Sequence, residues 1–272
     1  MQSNSEKLPL VAAIFTKNEE SNIADCIDSL IGISDITVID SLSQDQTQEI
    51  AEKKGANVLS FKWNGKYPRK KQWTLNQLSS AKWILMMDAD LRATPNLIKE
   101  LKELTLDDNA SAILIPIEYW FKGKKLKHGI KVKYFGALRP RAAIFPDVEL
   151  QGEGYGDIEF HYQPTITGKV LAAKHAMIHN DNDPISSWVE RHNKYAIYQA
   201  KINNQAATRR IMDTNKTLQG KLFSKVPFKS VAFFVFSYVL KAGFLDGVRG
   251  FQYNYLLAHH YYLQRIFQDD LN

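Results

Sequence analysis

The sequence predicts an α/β fold: a mixed, mostly parallel sheet flanked by helices, followed by a C-terminal helical extension. Three observations carry that reading. Apolar runs and helical patterns alternate four times before residue 110, the rhythm of a parallel, doubly wound half. The run Trp83-Ile84-Leu85-Met86-Met87 stops abruptly at Asp88-Ala89-Asp90, as an interior strand does where it opens into a loop. Charge, finally, divides the chain. Residues 1–200 hold 25 basic and 25 acidic side chains, and residues 201–272 hold ten against four, so the whole net charge of +6 lies in the tail.

Each element follows in order. Leu8 to Phe15 reads as a buried strand, and Ser21 or Asn22 as the cap of an amphipathic helix to about Ile31. Ile36 to Ile39 is a short strand ending at Asp40, followed by a polar turn and a helix to about Lys54; Val58 to Phe61 is a third strand. Lys71 to Ser80 is a helix, 83–87 a fourth strand, and Thr94-Pro95 opens another helix with Thr94 as N-cap. Beyond it, Ala112 to Ile117, Lys131 to Phe135 and Ala142 to Phe145 read as antiparallel or mixed strands completing the sheet. Asp183-Pro184 starts a helix to about Asn203, with Asp183 as its cap, and Phe251 to Phe267 forms a last helix. The expected organisation is a domain over 1–205, with halves 8–110 and 111–205, and an extension over 206–272.

With 272 residues, 44% of them hydrophobic, the chain has material for a sizeable core and is not disordered. The single Cys26 excludes an intramolecular disulfide and a multi-cysteine metal cage. It falls in Ile23, Cys26, Ile27, Leu30 and Ile31 at helical spacing, the place of a small core residue.

Ligands of open α/β sheets gather at the carboxyl ends of the strands. Asp88 and Asp90, at i and i+2, stand there, and hard oxygen ligands of this kind suit Mg²⁺ or Mn²⁺ carrying a diphosphate. A second Asp-x-Asp, Asp181-Asn182-Asp183, is accounted for by the capping role of Asp183. His179 follows an apolar stretch and is a candidate to complete a metal shell from the far side. Arg139 and Arg141 are either a phosphate clamp or surface groups. Trp188, Arg191, His192 and Tyr195 read mostly as packing along one helix.

Residues 226–245 hold the densest apolar segment, Val231 to Leu240, between Lys229 and Lys241. It is shorter than the roughly 20 apolar residues of a spanning helix. Two readings stand, a core helix or a helix in the membrane interface, and the basic surroundings at Arg209, Arg210, Lys216, Lys221, Lys225 and Lys229 favour an anionic membrane surface. Nothing at the N-terminus resembles a signal peptide, so the expected location is cytoplasmic, peripheral on the inner face of the membrane. Nucleic acid is not an expected partner, because long apolar stretches interrupt the basic tail and no reading module is recognised.

Three segments coincide in order: Ala13-Ile14-Phe15-Thr16-Lys17-Asn18-Glu19-Glu20, Val38-Ile39-Asp40-Ser41-Leu42-Ser43-Gln44-Asp45 and Met87-Asp88-Ala89-Asp90. Together they resemble a family 2 glycosyltransferase with the GT-A fold, in particular the branch of lipopolysaccharide-core β-glucosyltransferase-like enzymes. The resemblance implies a nucleotide-sugar donor, a divalent metal (Mg²⁺ or Mn²⁺) and a lipid-linked or glycan acceptor. It implies donor-binding roles for Thr16, Asn18, Glu19, Asp40, Lys71 and Gln72, with Lys70 beside them, a ribose contact for Asp88, and metal ligation by Asp90. The chain departs from the pattern at Leu91, where many relatives carry Glu, and at Ser41-Leu42, where an acid and a glycine are more usual; both leave the sugar open.

An inverting transferase needs a base on the acceptor side. If Gly156 to Gln163 is extended, Asp157, Glu159 and His161 share one face and Ile158, Phe160 and Tyr162 the other. The related branch often carries a His-Glu pair here, and this chain has His161-Tyr162, so two readings stand: the base is Asp157 or Glu159, or the segment is a solvent-facing strand surface. Two rivals stand beside this reading. A sugar-phosphate nucleotidyltransferase needs a glycine-rich phosphate loop after strand one, and Phe15-Thr16-Lys17-Asn18-Glu19 has no glycine. A non-catalytic membrane-surface protein retaining the fold would release no nucleotide from a donor.

Overall fold

The computed structural model describes residues 10–33, 35–147, 163–181, 184–214, 218–224 and 226–271. Contacts group the chain into two compact units. One comprises Met1–Glu118, Val132–Phe145 and Pro164–Asn180; the other comprises Tyr119–Lys131, Pro146–Gln163 and Asp181–Asn272.

The first unit opens with β1 (Leu10–Thr16), α1 (Ile23–Asp28), β2 (Asp35–Asp40), α2 (Thr47–Lys53), β3 (Asn57–Ser60), α3 (Lys70–Gln77) and β4 (Trp83–Asp88). The strands lie in the order β3-β2-β1-β4, all parallel. In such an order the chain winds outward one way from β1 and then the other, and the crevice at the reversal is where ligands bind. The reversal falls between β1 and β4, where Phe15 is in register with Asp88. Side chains of β1 and β4 make the floor of the core: Ala12, Ile14, Trp83, Leu85 and Met87 are all buried. Strands buried on both faces read as continuous apolar runs, which is why the sequence shows them plainly.

After β4 come β5 (Leu91–Ala93), α4 (Pro95–Leu104) and β6 (Ala110–Phe121); the short β7 (Lys124–Lys125) belongs to the second unit, and β8 (Val132–Leu138) returns to the first. β8 is antiparallel to β4 and to β6. Next are β9 (Ala143–Ile144), β10 (Thr165–Ile166), β11 (Lys169–Ala172) and β12 (Met177–Asp181). β11 is parallel to β6, and β12 runs antiparallel to β5. The result is the mixed sheet that the sequence predicts. Thr94 caps α4 as expected, accepting from the Leu97 N–H at 3.2 Å with Pro95 at the first helical position.

Four expectations are corrected. The first helix ends at Asp28, so Ile31 lies beyond it and is 80% exposed. Asn22 stands at its N-cap but its side chain makes no cap bond, because its amide donates to Glu19 Oε2 at 2.9 Å instead. The strand expected over 142–145 shortens to β9 and pairs with β10 alone, in a separate two-stranded ribbon. Arg139 stands over the Trp83 ring, its guanidinium 5.0 Å from the centroid, and donates to the Ala110 and Asp107 carbonyls at 2.6 and 3.2 Å. Its donors are engaged by protein, so the clamp reading of this arginine gives way to a structural one.

The second unit is helical: α5 (Ile185–Asn204), α6 (Ala206–Thr214), α7 (Leu218–Ser224), α8 (Lys229–Phe234), a π-helical continuation over Val235–Leu240, a 3₁₀ turn at Gly243–Asp246, and α9 (Gly247–Asp270). The expected cap Asp183 lies outside the described residues. α5 packs along α9 and buries Trp188, Ala196, Tyr198, Ala200 and Ile202. His192 stacks on Trp188, as the packing reading of that helix expects. Inside the break before α9, Ser237 and Asn254 share a buried hydrogen bond, and Asn254 donates to the Gly250 carbonyl at 2.7 Å. Gly243 and Gly250 are required there. A Cβ on Gly250 would overlap the Gly243 carbonyl, and one on Gly243 would stand 2.8 Å from the Asn254 amide. Among the described residues no single helix is long and apolar enough to cross a membrane. Lys229–Leu240 and Gly243–Asp270 pass on length and composition only as a pair, bent by 72°.

Candidate active site

The carboxyl ends of β1, β2 and β4 bring the expected residues to one edge of the sheet, in two different conditions. After β1 and β2 the two loops are laced together. Asp40, wholly buried, accepts from Thr16 Oγ1 at 2.9 Å, from the Ser43 N–H and hydroxyl at 2.8 and 2.5 Å, and from Gln48 Nε2 at 2.6 Å. A carboxylate has about four lone-pair sites, and Asp40 uses all of them. Burial alone raises a carboxyl pKa; here the bonds from Ser43, Thr16 and Gln48 outweigh it and hold Asp40 below the usual range.

The lacing continues outward. Asn18, at φ +56°, donates its N–H to Ser43 Oγ at 2.8 Å and accepts from the Gln44 N–H at 2.8 Å. The Glu19 N–H donates to Thr47 Oγ1 at 2.7 Å, and Lys17 Nζ donates to the Ser41 carbonyl at 2.8 Å. Lys70 Nζ donates to Ser41 Oγ at 3.0 Å. Gln72 is buried; it accepts from the Phe145 N–H at 2.9 Å and donates to Asn76. Thr16, Asn18, Glu19, Asp40 and Gln72 thus all shape the rim, with side-chain or backbone groups committed to protein partners.

At the end of β4 the condition reverses. Asp88 is exposed, yet its carboxyl is held above the usual range, first by the protein crowded around it and then by the Asp90 charge, against the pull of Lys71, Lys70 and His179. Asp90 is partly buried, and its Oδ2 lies 3.2 Å from His179 Nε2. Strand pairing makes this contact: β12 lies on β5 with His179 opposite Leu91, and the Asn180 N–H donates to the Asp90 carbonyl at 3.1 Å. Residues 89 apart in sequence therefore meet by register. Asp90 Oδ1 is buried.

Two groups that the sequence reading missed hold this corner. Arg92 Nη1 donates to the Ala89 and Leu91 carbonyls at 2.7 and 3.0 Å, and Nη2 reaches Asn22 Oδ1 at 3.4 Å. Its signal was a lone charge in the apolar Leu91-Arg92-Ala93. The Tyr134 hydroxyl donates to the Met86 carbonyl at 3.2 Å and also meets Met177 Sδ at 3.1 Å, tying β8 to β4 and β12; no local pattern marks it. Cys26 is core, as expected, and burial pushes its thiol far up. Asp157 and Glu159, the two candidate bases, lie outside the described residues.

The model for glycosyl transferase family 2 matches residues 12–159, more than half of the chain. An uncharacterized glycosyltransferase of Rickettsia conorii is 27% identical over 258 residues, covering 92% of this chain and 85% of that protein. The lipopolysaccharide core biosynthesis glycosyltransferase LpsC of Rhizobium meliloti is 35% identical over 103 residues, covering 36% of this chain and 37% of that protein. Among solved structures, glucosyl-3-phosphoglycerate synthase of Mycobacterium tuberculosis, in complex with Mn²⁺, UDP and glucosyl-3-phosphoglycerate, is 22% identical over 42% of this chain and 44% of that one, with a TM-score of 0.31. A likeness of that extent bears on neither donor nor metal here.

Proposed function

The chain belongs to glycosyl transferase family 2 and is a glycosyltransferase, and from that premise we propose an inverting, metal-dependent transfer of a sugar from a nucleotide-diphosphate donor to a lipid-linked or envelope-glycan acceptor. A UDP-sugar is the first donor to test. The observation that carries this reading is the corner at the end of β4, where Asp88 is exposed and Asp90 meets His179 at 3.2 Å beside the strand-order reversal.

The donor set fits a divalent ion. Carboxylate oxygens and an imidazole suit Mg²⁺ or Mn²⁺, and Asp90 and His179 are the residues that would hold it. Among the described residues no group of three or more His, Cys, Asp or Glu side chains is arranged around one ion position. That accords with ions that take one or two protein ligands and complete their shell with substrate phosphates and water. When bound, such an ion neutralises charge developing on a leaving diphosphate. The protein's own part is to position. Asp88 stands where a ribose hydroxyl would be held, and the laced loops after β1 and β2 give the nucleotide a rigid wall. Arg92 fixes the turn between the two acids by gripping the carbonyls of Ala89 and Leu91. Asp157 or Glu159 would take the proton of the acceptor hydroxyl on the face opposite the leaving group.

The acceptor class rests on the likeness to LpsC, whose name places that enzyme in lipopolysaccharide core synthesis. Such an acceptor puts the enzyme on the cytoplasmic face of a membrane. Nucleotide release from a panel of UDP-, GDP- and ADP-sugars, with Mn²⁺ or Mg²⁺ and a lipopolysaccharide-core acceptor, tests the proposal. Metal-dependent release from one donor is the expected result; no release from any, by protein that melts cooperatively, would sink it.

A further inference from the structure

We infer that the bend before α9 and the lysine-rich hairpin over 119–131 form a two-part anchor for an anionic lipid bilayer. The inference rests on the proposed membrane-side acceptor for its setting and owes nothing to donor chemistry. The apolar part is Val239, Leu240, Phe244, Leu245 and Val248, whose exposures run from 48% to 72% within ten residues of chain. Soluble monomers rarely leave so many large apolar side chains together in water. Helices bent by 72° around this stretch cannot run straight through a bilayer as one rod, and an apolar bend of this kind suits the boundary between headgroups and acyl chains.

The basic part comes from far away in sequence. Asp246 accepts from the Lys127 and His128 N–H groups at 3.1 and 2.8 Å and meets His128 Nδ1 at 3.1 Å. The Gly129 N–H donates to the Lys241 carbonyl at 2.9 Å, and Arg249 Nε donates to the Lys122 carbonyl at 3.3 Å. These bonds fasten the hairpin beside the bend and set the exposed Lys122, Lys124, Lys125 and Lys127 around it, with Lys241 on the bend itself. The hairpin carries no acid, and Asp246 is the only acid between residues 214 and 268. Its side chain is 8% exposed and engaged by the hairpin. The surface these two segments make is therefore apolar at its centre and cationic at its edge, with the one carboxylate the segments carry hidden, which complements an anionic membrane. A second copy of the chain is a poorer occupant, since a twofold contact through this face would set lysines against lysines.

The test is cosedimentation of the full chain with vesicles of phosphatidylcholine alone or with about 30% phosphatidylglycerol, at roughly 0.1 M salt. Binding to the anionic vesicles should exceed binding to neutral ones by at least about tenfold. The triple variant Lys122→Gln/Lys124→Gln/Lys125→Gln should bind anionic vesicles roughly a hundredfold more weakly. Leu240→Ser/Leu245→Ser should weaken binding to both compositions, since it removes the inserted apolar area. All these positions are exposed, so both variants should melt like the parent and release nucleotide from a donor in solution at the parent rate. Full chain left in the supernatant with anionic vesicles would overturn the inference, as would variants that sediment like the parent. A dimer in sedimentation velocity that Leu240→Ser/Leu245→Ser abolishes, without vesicle binding by the parent, would overturn it in favour of self-association. Vesicle binding without nucleotide release from any donor would support the anchor and count against the transferase reading alone.

Discussion

Asp40 and Asp88 end two parallel strands of one sheet, β2 and β4, with β1 between them, and the fold treats them oppositely. Asp40 is wholly buried, accepts four hydrogen bonds and is held below the usual carboxylate range. Asp88 is exposed and held above it. The difference teaches that a strand-end acid is not by itself a working acid. One whose lone pairs are filled by its own protein builds the wall of a site, and one that meets water is available to a substrate.

The largest test of that contrast lies one step beyond Asp88. If Asp90 holds the proposed ion, Asp90→Asn should lower turnover at least about a thousandfold, because it removes the charged ligand of the group that would offset leaving-group charge. Its melting temperature should stay close to that of the parent, and normal turnover with Mn²⁺ still bound would break the assignment. Asp40→Ala should act on the fold instead. It strands Thr16 Oγ1, the Ser43 N–H and Gln48 together, costing about 4 kcal/mol in urea unfolding. A variant that unfolds like the parent would show the lacing to be ornamental.

Acid offers a third test. Asp40 has a folded pKa below its unfolded one, so its contribution is complete above the unfolded value of about 3.9 and is lost as pH falls through the folded value. Buried His260 in the second unit also has a lowered folded pKa, about 4 against 6.5, and here burial is the cause. Its Nδ1 faces the His192 carbonyl at 3.1 Å and its Nε2 faces Gln264 at 2.7 Å, a pairing for the neutral ring. Stability should therefore decline from pH 6.5 to 4 by on the order of 2–3 kcal/mol, before Asp40 contributes. His260→Gln should flatten that limb in urea titrations at stepped pH; an unchanged limb would assign it elsewhere. The smallest effect belongs to Asp88→Asn, which should change stability by less than about 0.5 kcal/mol, as at an exposed site, while impairing turnover. A large loss of stability would put Asp88 in Asp40's class.

Sequence reading reached some of this and not the rest, for physical reasons. The parallel strands were legible because both of their faces are buried, so Leu10 to Thr16 and Trp83 to Met87 spell themselves as continuous apolar runs. The Thr94-Pro95 start was legible because a cap is a local event. His179 was only a candidate from sequence, since its meeting with Asp90 depends on strands that pair across the sheet. The consumption of Asp40 by Ser43 and Gln48 and the grip of Arg92 on the acid turn were beyond reach, because hydrogen-bond saturation leaves no periodicity. The hairpin lysines gave no hint of their neighbour either, since Asp246 lies more than 110 residues away.

The ladder between β5 and β12 is only three pairs long, Met177 with Ala93, Ile178 with Arg92 and His179 with Leu91. Successive side chains on a strand point to opposite faces, so a slip of one residue turns the imidazole away from Asp90 and brings Ile178 or Asn180 round in its place. Loss or gain of a single codon between Ala173 and Met177 would thus disarm the corner while leaving β1, β2 and β4 untouched. Along this stretch the gene should tolerate many substitutions and almost no change of length.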